Sequence, residues 1–384
     1  MIIGIDIRVL GNSVKSGIEE YAENLIPRLI AENRDIKFKL FFSSRRNNLP
    51  GYPWLRQSNV ELHKFSYPNN FLFTSSRLLN RPFIDKMVGG ADVFFFPHFF
   101  ISSLSPECKR VTTFHDLSYL HYPESLTQRK IIWHNLQMRP EWQAKFSDRI
   151  IAVSESTKND LVNFYKIDPA RIEVIYSGVV TSNVPRPFDV VNSSDVVNLK
   201  KEKNLPARFI FFLGKLEPRK NIISIIKAFN NLKTNPKHKD VGLVIAGVKG
   251  WLYNEIFKEV DNSVYKNQII FVGQISNRER FLYYQFAEVF VYPSFFEGFG
   301  FPPLEAMSCG TPVITSRNSS LPEVVGNAAV LVDPYDVVEL ELWITKILGD
   351  KKLFGPMIKR GLKQASKFNW KEAASRTLDA LIKA

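Results

Sequence analysis

Short hydrophobic runs rich in Val, Ile and Phe recur along the chain, and more polar stretches separate them. Largely apolar runs of this kind are typical of strands that are covered on both faces of a parallel sheet. In the first half of the chain they predict strands at residues 2–7, 38–42, 93–96, 110–114 and 149–153. In the second half they predict strands at residues 209–213, 241–246, 269–272, 289–292, 313–315 and 329–332.

Between these runs, apolar residues recur with the period of a helix. This pattern predicts helices at residues 17–31, 156–165, 222–231, 253–262, 278–286, 337–348 and 370–382. Strands that alternate with helices predict parallel sheets with right-handed crossovers. Two such series therefore predict an α/β protein with two doubly wound domains. A boundary is expected in residues 181–205, where prolines and a polar Asn-Ser-Ser-Asp stretch interrupt the pattern.

The formal net charge of +13 suggests an anionic partner, either nucleic acid, a membrane surface or a phosphate-bearing ligand. The chain lacks zinc-finger spacing and aromatic-basic RNA-binding motifs, so nucleic acid is not expected. Because the basic residues are spread along the chain, a solubilising surface and attraction to an anionic membrane stay equally open.

Composition also bears on the compartment. No apolar run approaches the length of a membrane-spanning helix, and residues 1–6 are typical of a first core strand rather than a signal peptide. The two cysteines, Cys108 and Cys309, cannot form a disulfide framework or a metal site by themselves, so both are expected to be packing residues. We therefore expect a cytoplasmic protein.

Two carboxylates, Glu297 and Glu305, flank a glycine loop that follows the predicted strand at residues 289–292. Pro302 and Pro303 suit the first turn of a helix, so Glu297 is predicted in the loop and Glu305 inside the helix. Amides at a helix start attract anions, and glycine lets an anion approach the backbone closely. Taken alone, the pattern fits ordinary α/β architecture equally well.

The segment 297–305, with the Cys-Gly-Thr-Pro-Val of residues 309–313 and the Ser-Leu-Pro-Glu-Val-Val of residues 320–325, resembles the donor-site signature of glycosyltransferase family 4. These are retaining, nucleotide-sugar-dependent enzymes of the GT-B fold, with two Rossmann-like doubly wound domains facing a cleft. The resemblance implies that Glu297 contacts the donor sugar and Glu305 the nucleotide ribose. The loop residues Gly298, Phe299 and Gly300 are expected to contact the donor as well.

A second motif, residues 212–221, ends a predicted strand with a basic turn that contains Lys215, Arg219 and Lys220. Cations at a strand end beside a helix start suit a diphosphate, although a solvated basic turn has the same composition. The motif resembles a family 4 stretch that holds the donor diphosphate, which implies this role for all three side chains. Lys215 stands where arginine is more usual, so bidentate binding is not expected there.

In the first half, His115 follows a predicted strand, where a side chain faces the crevice of an open α/β sheet. A lone histidine is often structural, but the Thr-Phe-His-Asp-Leu phrase resembles a family 4 segment whose histidine approaches the donor sugar across the cleft. His115, Glu297 and Lys220 are thus the predicted catalytic residues. Asp116 either binds the acceptor or holds its loop. Gly17, in a helix-opening loop, is expected to line the cleft near the phosphates.

Other chemistries find no support, since the chain lacks a G-x-S-x-G elbow, an H-E-x-x-H pair and a Walker A loop. There is also no Asp-x-Asp pair to bridge a divalent ion and a diphosphate. GT-B enzymes use basic side chains and a helix dipole instead, so no metal or other cofactor is expected. Residues 246–251 resemble a segment of bacterial mannosyl- and related hexosyltransferases.

The resemblance implies an acceptor-binding domain at residues 1–185, a donor-binding domain at residues 200–365, and a last helix, residues 366–384, that crosses back onto the first. It implies transfer of a hexose, mannose from GDP-mannose, with retention of configuration, to a glycan or lipid-linked acceptor. Two alternatives stay open. A nucleotide-sugar 2-epimerase would release an epimerised sugar without an acceptor, and a non-catalytic partner subunit would bind the donor without turnover.

Aromatic and basic residues mix in two stretches of the first half, residues 71–86 and 129–145. Such mixtures suit peripheral contact with the inner face of a membrane and a lipid-diphosphate-linked acceptor. Core-facing helices with solvated basic faces would show the same pattern, so the sequence leaves both interpretations open.

Overall fold

The computed structural model describes residues 1–11, 17–45, 48–180, 201–350 and 354–384. The chain divides into two compact units. The first comprises Met1–His121, Gln128–Gly178 and Asn369–Ala384, and the second comprises Tyr122–Thr127 and Val179–Phe368. Each unit is built around its own parallel β-sheet.

The sheet of the first unit has the strand order β3-β2-β1-β4-β5-β6-β7, and every neighbouring pair is parallel. Its order reverses between β1 and β4, which makes this the topological switch point of the sheet. The strands are β1 Ile2–Asp6, β2 Lys37–Ser43, β3 Val60–Phe65, β4 Val93–Phe96, β5 Lys109–Phe114, β6 Arg149–Ala152 and β7 Ile172–Val174.

The sheet of the second unit has the order β10-β9-β8-β11-β12-β13 and is also parallel throughout. Its switch point lies between β8 and β11. The strands are β8 Arg208–Leu213, β9 Val241–Ala246, β10 Ile269–Gly273, β11 Val289–Tyr292, β12 Val313–Ser316 and β13 Val330–Val332.

Helices connect the strands in both units. Those of the first unit are α1 Gly17–Ala31, α2 Asn69–Leu79, α3 Ile84–Met87, α4 Ser118–His121, α5 Gln128–Ile132, α6 Pro140–Phe146 and α7 Glu155–Tyr165. Those of the second unit are α8 Ile222–Leu232, α9 Asn254–Asp261, α10 Asn277–Phe286, α11 Phe301–Ser308, α12 Leu321–Val325, α13 Val337–Gly349 and α14 Phe354–Ala365. The last helix, α15 Trp370–Ile382, returns to the first unit.

The prediction of an α/β protein with two doubly wound sheets is confirmed. Every strand and helix predicted from the hydrophobic pattern has a counterpart whose ends agree within about two residues, but the last helix begins at Trp370 rather than at residue 366. The sequence missed two strands, β3 and β7, and both lie at an edge of the first sheet. Edge strands are only partly covered, so β3 carries charged residues between its apolar ones and lacks the continuous hydrophobic run on which the prediction relied.

The last helix packs against α1 within the first unit. The rings of Tyr21 and Trp370 meet edge to face with centroids 5.9 Å apart. Gly178 passes so close that a Cβ there would lie 2.3 Å from the backbone nitrogen of Trp370. The chain thus needs glycine where it leaves this unit. Most of the predicted linker lies outside the described residues, and the acceptor and donor roles of the two domains stay predictions.

Candidate active site

Two loops of the second unit start at the carboxyl ends of neighbouring central strands. Residues 214–221 follow β8, and residues 293–300 follow β11. Because β8 and β11 pair in parallel at the switch point, both loops emerge at the same edge of the sheet. The basic motif at residues 214–221 and Glu297 are therefore brought together, although they are far apart in the chain.

At the centre of this edge, the side chains of Lys220 and Glu297 form a buried ion pair. The Lys220 ammonium donates to Oε1 of Glu297 at 2.6 Å and to the hydroxyl of Tyr292 at 2.6 Å. The hydroxyl of Ser294 donates to the same carboxylate oxygen at 2.6 Å. The carboxylate is thus held by both loops, and its orientation is set before any substrate binds.

Arg219 extends the ion pair to a second buried carboxylate. Its guanidinium lies 3.2 Å from Oε2 of Glu297 and donates to Oε1 of Glu217 at 2.9 Å. It also donates to the main-chain oxygen of Phe296 at 2.6 Å. We call Glu217, Arg219, Lys220 and Glu297 the charged cluster. Its two cations and two anions balance one another.

The charges of the cluster shift the pKa values of its members. Burial alone would raise the pKa of Glu297, but the nearby charges of Lys220 and Arg219 lower it to about 2. Burial lowers the pKa of Lys220, and the charge of Arg219 acts in the same direction, whereas Glu297 opposes them. The Glu297 carboxylate is therefore ionised at neutral pH.

The helix α11 begins directly after the second loop, as predicted, with Gly300 in the left-handed region at φ 101°. Its second and third residues are Pro302 and Pro303, which carry no N–H. Among the first four helical residues, only Phe301 and Leu304 can offer an amide to an anion. This helix start therefore offers an anion fewer amides than its position in the fold predicted.

A third buried carboxylate, Glu305, lies in α11 about one turn after the helix begins. Oε1 of Glu305 is 2.9 Å from the guanidinium of Arg280, and the hydroxyl of Tyr284 donates to Oε2 at 2.9 Å. Both partners come from α10, where their spacing of four residues places them on one face. Neither residue was predicted from the sequence, although their spacing on the predicted helix at residues 278–286 was a usable signal.

Lys215, Gly298 and Phe299 are the remaining predicted donor residues of the second unit. The ammonium of Lys215 stands 5.7 Å from the ring centroid of Trp251 rather than beside a carboxylate. Gly298 is buried in the second loop. The ring of Phe299 packs edge to face on Phe301 and Phe368, so a donor contact by this residue would use its main chain.

His115 lies in the first unit, directly after β5, as predicted. Its Nε2 is 2.7 Å from the carbonyl oxygen of Pro97, and its ring meets Tyr21 edge to face at 4.9 Å. Burial lowers the pKa of His115, although the Pro97 carbonyl opposes the shift. Asp116 accepts bonds from the amide and hydroxyl of Ser118 at 3.1 and 2.8 Å, which is how a loop-holding residue behaves.

The other residues named from the sequence are Gly17 and the two cysteines. Gly17 is the first residue of α1, and the loop before it lies outside the described residues. Cys108 and Cys309 are buried, and burial raises the pKa of each to about 12, so both are thiols at neutral pH.

Two Rossmann-like units, with buried acidic and basic side chains at the switch point of the second, define the class of GT-B glycosyltransferases. Residues 15–183 match the family described as "Glycosyltransferase Family 4", and residues 196–364 match "Glycosyl transferases group 1". The chain belongs to these families and is a glycosyltransferase.

Individual relatives agree with this classification. The chain is 28% identical over 379 residues to the O-antigen chain mannosyltransferase B of Escherichia coli, covering 95% of each chain. It is 30% identical over 240 residues to the serotype-specific mannosyltransferase WbdA of Escherichia coli, covering 62% of this chain but only 29% of WbdA. Sucrose-phosphate synthase of Thermosynechococcus elongatus shares the fold, with a TM-score of 0.73 at 20% identity over 98% of this chain and 97% of that chain.

Proposed function

We propose that this glycosyltransferase transfers mannose from GDP-mannose to a glycan or lipid-linked acceptor, with retention of configuration and without a metal ion. The observation that carries the proposal is the buried ion pair between Lys220 and Glu297. The two side chains lie within one hydrogen bond of each other, and in this proposal Glu297 contacts the sugar of the donor while Lys220 contacts the adjacent phosphate. The names of the two mannosyltransferase relatives support mannose as the sugar, and the name of mannosyltransferase B supports O-antigen synthesis as the setting.

In this proposal the cluster acts through charge. The bond between the anomeric carbon and the phosphate oxygen breaks, and negative charge develops on the departing diphosphate. Lys220 and Arg219 stabilise that charge, while Glu297 orients the hydroxyl groups of the sugar. The acceptor oxygen bonds to the anomeric carbon on the face that the phosphate leaves, and the phosphate oxygen takes its proton. Glu297 therefore needs no covalent bond to the sugar.

A panel of nucleotide sugars in a thermal-shift assay tests the donor. A ligand that binds only the folded protein stabilises it by about 2.7 kcal/mol at 100 times its Kd, and the melting temperature rises as a result. GDP-mannose is expected to raise the melting temperature more than UDP-glucose or GDP-glucose. A larger shift with a UDP-sugar would contradict the choice of nucleotide.

Product analysis then separates transfer from the two alternatives. Incubation with GDP-mannose and a mannose-containing acceptor is expected to extend the acceptor and release GDP. Release of an epimerised sugar without an acceptor would identify an epimerase. Donor binding with no turnover in the presence of several acceptors would identify a non-catalytic subunit.

Transfer is expected to persist in excess EDTA, because in this proposal Lys215, Arg219 and Lys220 stabilise the charge of the diphosphate in place of a metal ion. Across the described residues, no three His, Cys, Asp or Glu side chains are grouped so that they could hold a metal ion. The measurement is the initial rate with EDTA and then with added magnesium or manganese. Loss of activity that either metal restores would overturn this prediction.

We also propose that the protein is cytoplasmic and touches the inner face of a membrane through its first unit. None of the described helices is long and apolar enough to cross a bilayer. On α2, however, Phe71 is 52% exposed and Leu78 and Leu79 are each 70% exposed, whereas Leu72 and Phe73 are buried in the core. An exposed apolar face beside the exposed Arg77 suits an anionic interface.

The double variant Leu78→Ser/Leu79→Ser is expected to lose sedimentation with vesicles that contain phosphatidylglycerol. Wild-type protein should bind these vesicles at low salt and less at high salt, since salt screens the attraction of basic residues. Val264→Ser, which changes an 88% exposed side chain of the second unit, is the matched control. Wild-type binding no stronger to anionic than to phosphatidylcholine vesicles would leave the basic surface without a membrane role.

A further inference from the structure

Lys215 lies in a turn that is bound along one side by a second segment of the same unit. The amide of Leu216 donates to the carbonyl oxygen of Val248 at 2.9 Å, and the amide of Gly250 donates back to the carbonyl oxygen of Leu216 at 2.9 Å. These bonds extend the pairing of β8 and β9 beyond the ends of both strands. The position of Lys215 is therefore set by residues 247–251.

Two glycines make this close approach sterically feasible. Gly247 has φ +139°, and a Cβ there would lie 1.9 Å from the carbonyl oxygen of Gly214. At Gly250, a Cβ would lie 2.7 Å from the carbonyl oxygen of Leu216 and 2.9 Å from Cγ of Lys215. The aliphatic stem of Lys215 thus passes over Gly250, which directs its ammonium toward residue 251.

That residue is Trp251, and its indole is held from both sides. The ammonium of Lys215 lies 5.7 Å from the ring centroid, within the range of a cation–π interaction. The indole Nε1 donates to the carbonyl oxygen of Ser125 at 2.7 Å. Ser125 belongs to Tyr122–Thr127, a segment that forms part of the second unit although the first unit flanks it in the chain.

The partner of Lys215 differs from those of the other two cations near the site. Arg219 and Lys220 bond to buried carboxylates, which balance their charges. Among the described residues, Lys215 has no ion pair, and the electron-rich ring of Trp251 orients its ammonium without neutralising it. The charge of Lys215 is therefore left for an anion to balance.

We propose that Trp251 is a positioning residue that aims the ammonium of Lys215 at the diphosphate of the donor, and that the Ser125 carbonyl fixes the indole for this purpose. The inference rests on the proposed function, since it assumes that a nucleoside diphosphate binds beside residues 214–221. It assigns to residues 247–251 a role in diphosphate affinity rather than in recognition of the base or the sugar.

Calorimetric titration with GDP tests the inference on four single variants and one double variant. Lys215→Met is expected to weaken GDP binding about tenfold or more, the loss typical of a charge-assisted bond. Trp251→Leu is expected to weaken it about two- to fivefold, the range of a cation–π contact at a partly exposed site. Trp251→Phe keeps an aromatic face and should recover part of the loss. The double variant Lys215→Met/Trp251→Leu should be no weaker than Lys215→Met alone.

Trp343→Leu is the matched fourth variant, because Trp343 packs under Lys346 at 4.5 Å on α13 in another cation–π pair. It should leave GDP affinity unchanged. If Lys215→Met weakens GDP binding but Trp251→Leu does not, or if the two losses simply add, the inference is wrong and the proposed function stands. A wild-type protein that binds no GDP would overturn the proposed function and the inference together.

Discussion

Mannosyl transfer by the Lys220→Ala variant should fall at least a hundredfold, the largest effect that we expect from a single substitution. Lys220 is the buried cation nearest to Glu297, and in the proposed reaction it stabilises charge on the departing diphosphate. Removing one such preorganised group typically costs about 10²–10³ in kcat. The measurement is kcat for transfer from saturating GDP-mannose, compared with wild type.

The substitution will also affect folding, because it leaves the carboxylate of Glu297 buried beside Arg219 alone. Breaking a buried pair from one side costs about 3–5 kcal/mol of the free energy of unfolding. The double variant Lys220→Met/Glu297→Gln removes both charges and should recover much of that stability while it stays inactive. Recovered stability with lost transfer separates the chemical role of Lys220 from its structural one.

Lys233 offers a matched control within the same unit. It is also a buried lysine, and its ammonium donates to the carbonyl oxygens of His238, Lys239 and Val241 at 2.7 to 2.9 Å. Lys233→Met should lower the melting temperature but leave the kcat of the folded protein near that of wild type. If Lys220→Ala kept more than about a tenth of wild-type kcat, the assigned role of its charge would be wrong.

The fold was predictable wherever a strand is covered on both faces. The runs at β4, β9 and β11 are continuous in the sequence because every residue of those strands is buried. β3 was missed because charged residues interrupt its apolar ones and none of its residues is fully buried, and β7 because it is only three residues long with Glu173 at its centre. An edge position alone does not hide a strand, since β10 and β13 also lie at an edge and were predicted.

The candidate site was predictable as two separate motifs but not as one cluster. Lys220 and Glu297 are 77 residues apart, and their hydrogen bond depends on the register in which β8 pairs with β11. Sequence periodicity does not determine that register, so the contact between Lys220, predicted to bind the phosphate, and Glu297, predicted to bind the sugar, was not predictable. The same holds for Glu217, which the sequence analysis did not name and which holds Arg219 from within its own loop.

Conversely, the sequence pattern around the two prolines of α11 overestimated how strongly this helix start attracts an anion. Two prolines after a glycine loop correctly predicted where the helix begins. The same prolines remove two of the amides that make a helix start attractive to an anion. In the proposed function, the side-chain cations of residues 214–221 are therefore expected to contribute more of the phosphate binding than the helix start does.

The two carboxylates should separate in their kinetic effects. Glu305→Ala should mainly weaken GDP binding, because in the proposed function this residue holds the ribose. Glu297→Ala should mainly lower kcat, because its contact with the sugar contributes as the glycosidic bond breaks. Loss of a charge-assisted hydrogen bond costs about 1.5–3 kcal/mol, so each effect should be about tenfold or more. The measurements are GDP affinity by calorimetry and kcat at saturating donor.

Acid stability gives a second signature of Glu297. Its pKa is lowered from 4.5 to about 2 in the folded protein, so its ionised form stabilises the fold above the ordinary pKa. That stabilisation is lost as pH falls from about 4.5 toward 2, and the Glu297→Gln variant should lack this part of the acid dependence. Asp85→Asn is the control, since Asp85 is a buried carboxylate of the first unit that accepts bonds from Ser105. Asp85→Asn should destabilise the protein without changing GDP affinity. Wild-type kinetics in both the Glu297→Ala and the Glu305→Ala variant would contradict the placement of the donor at residues 297–305.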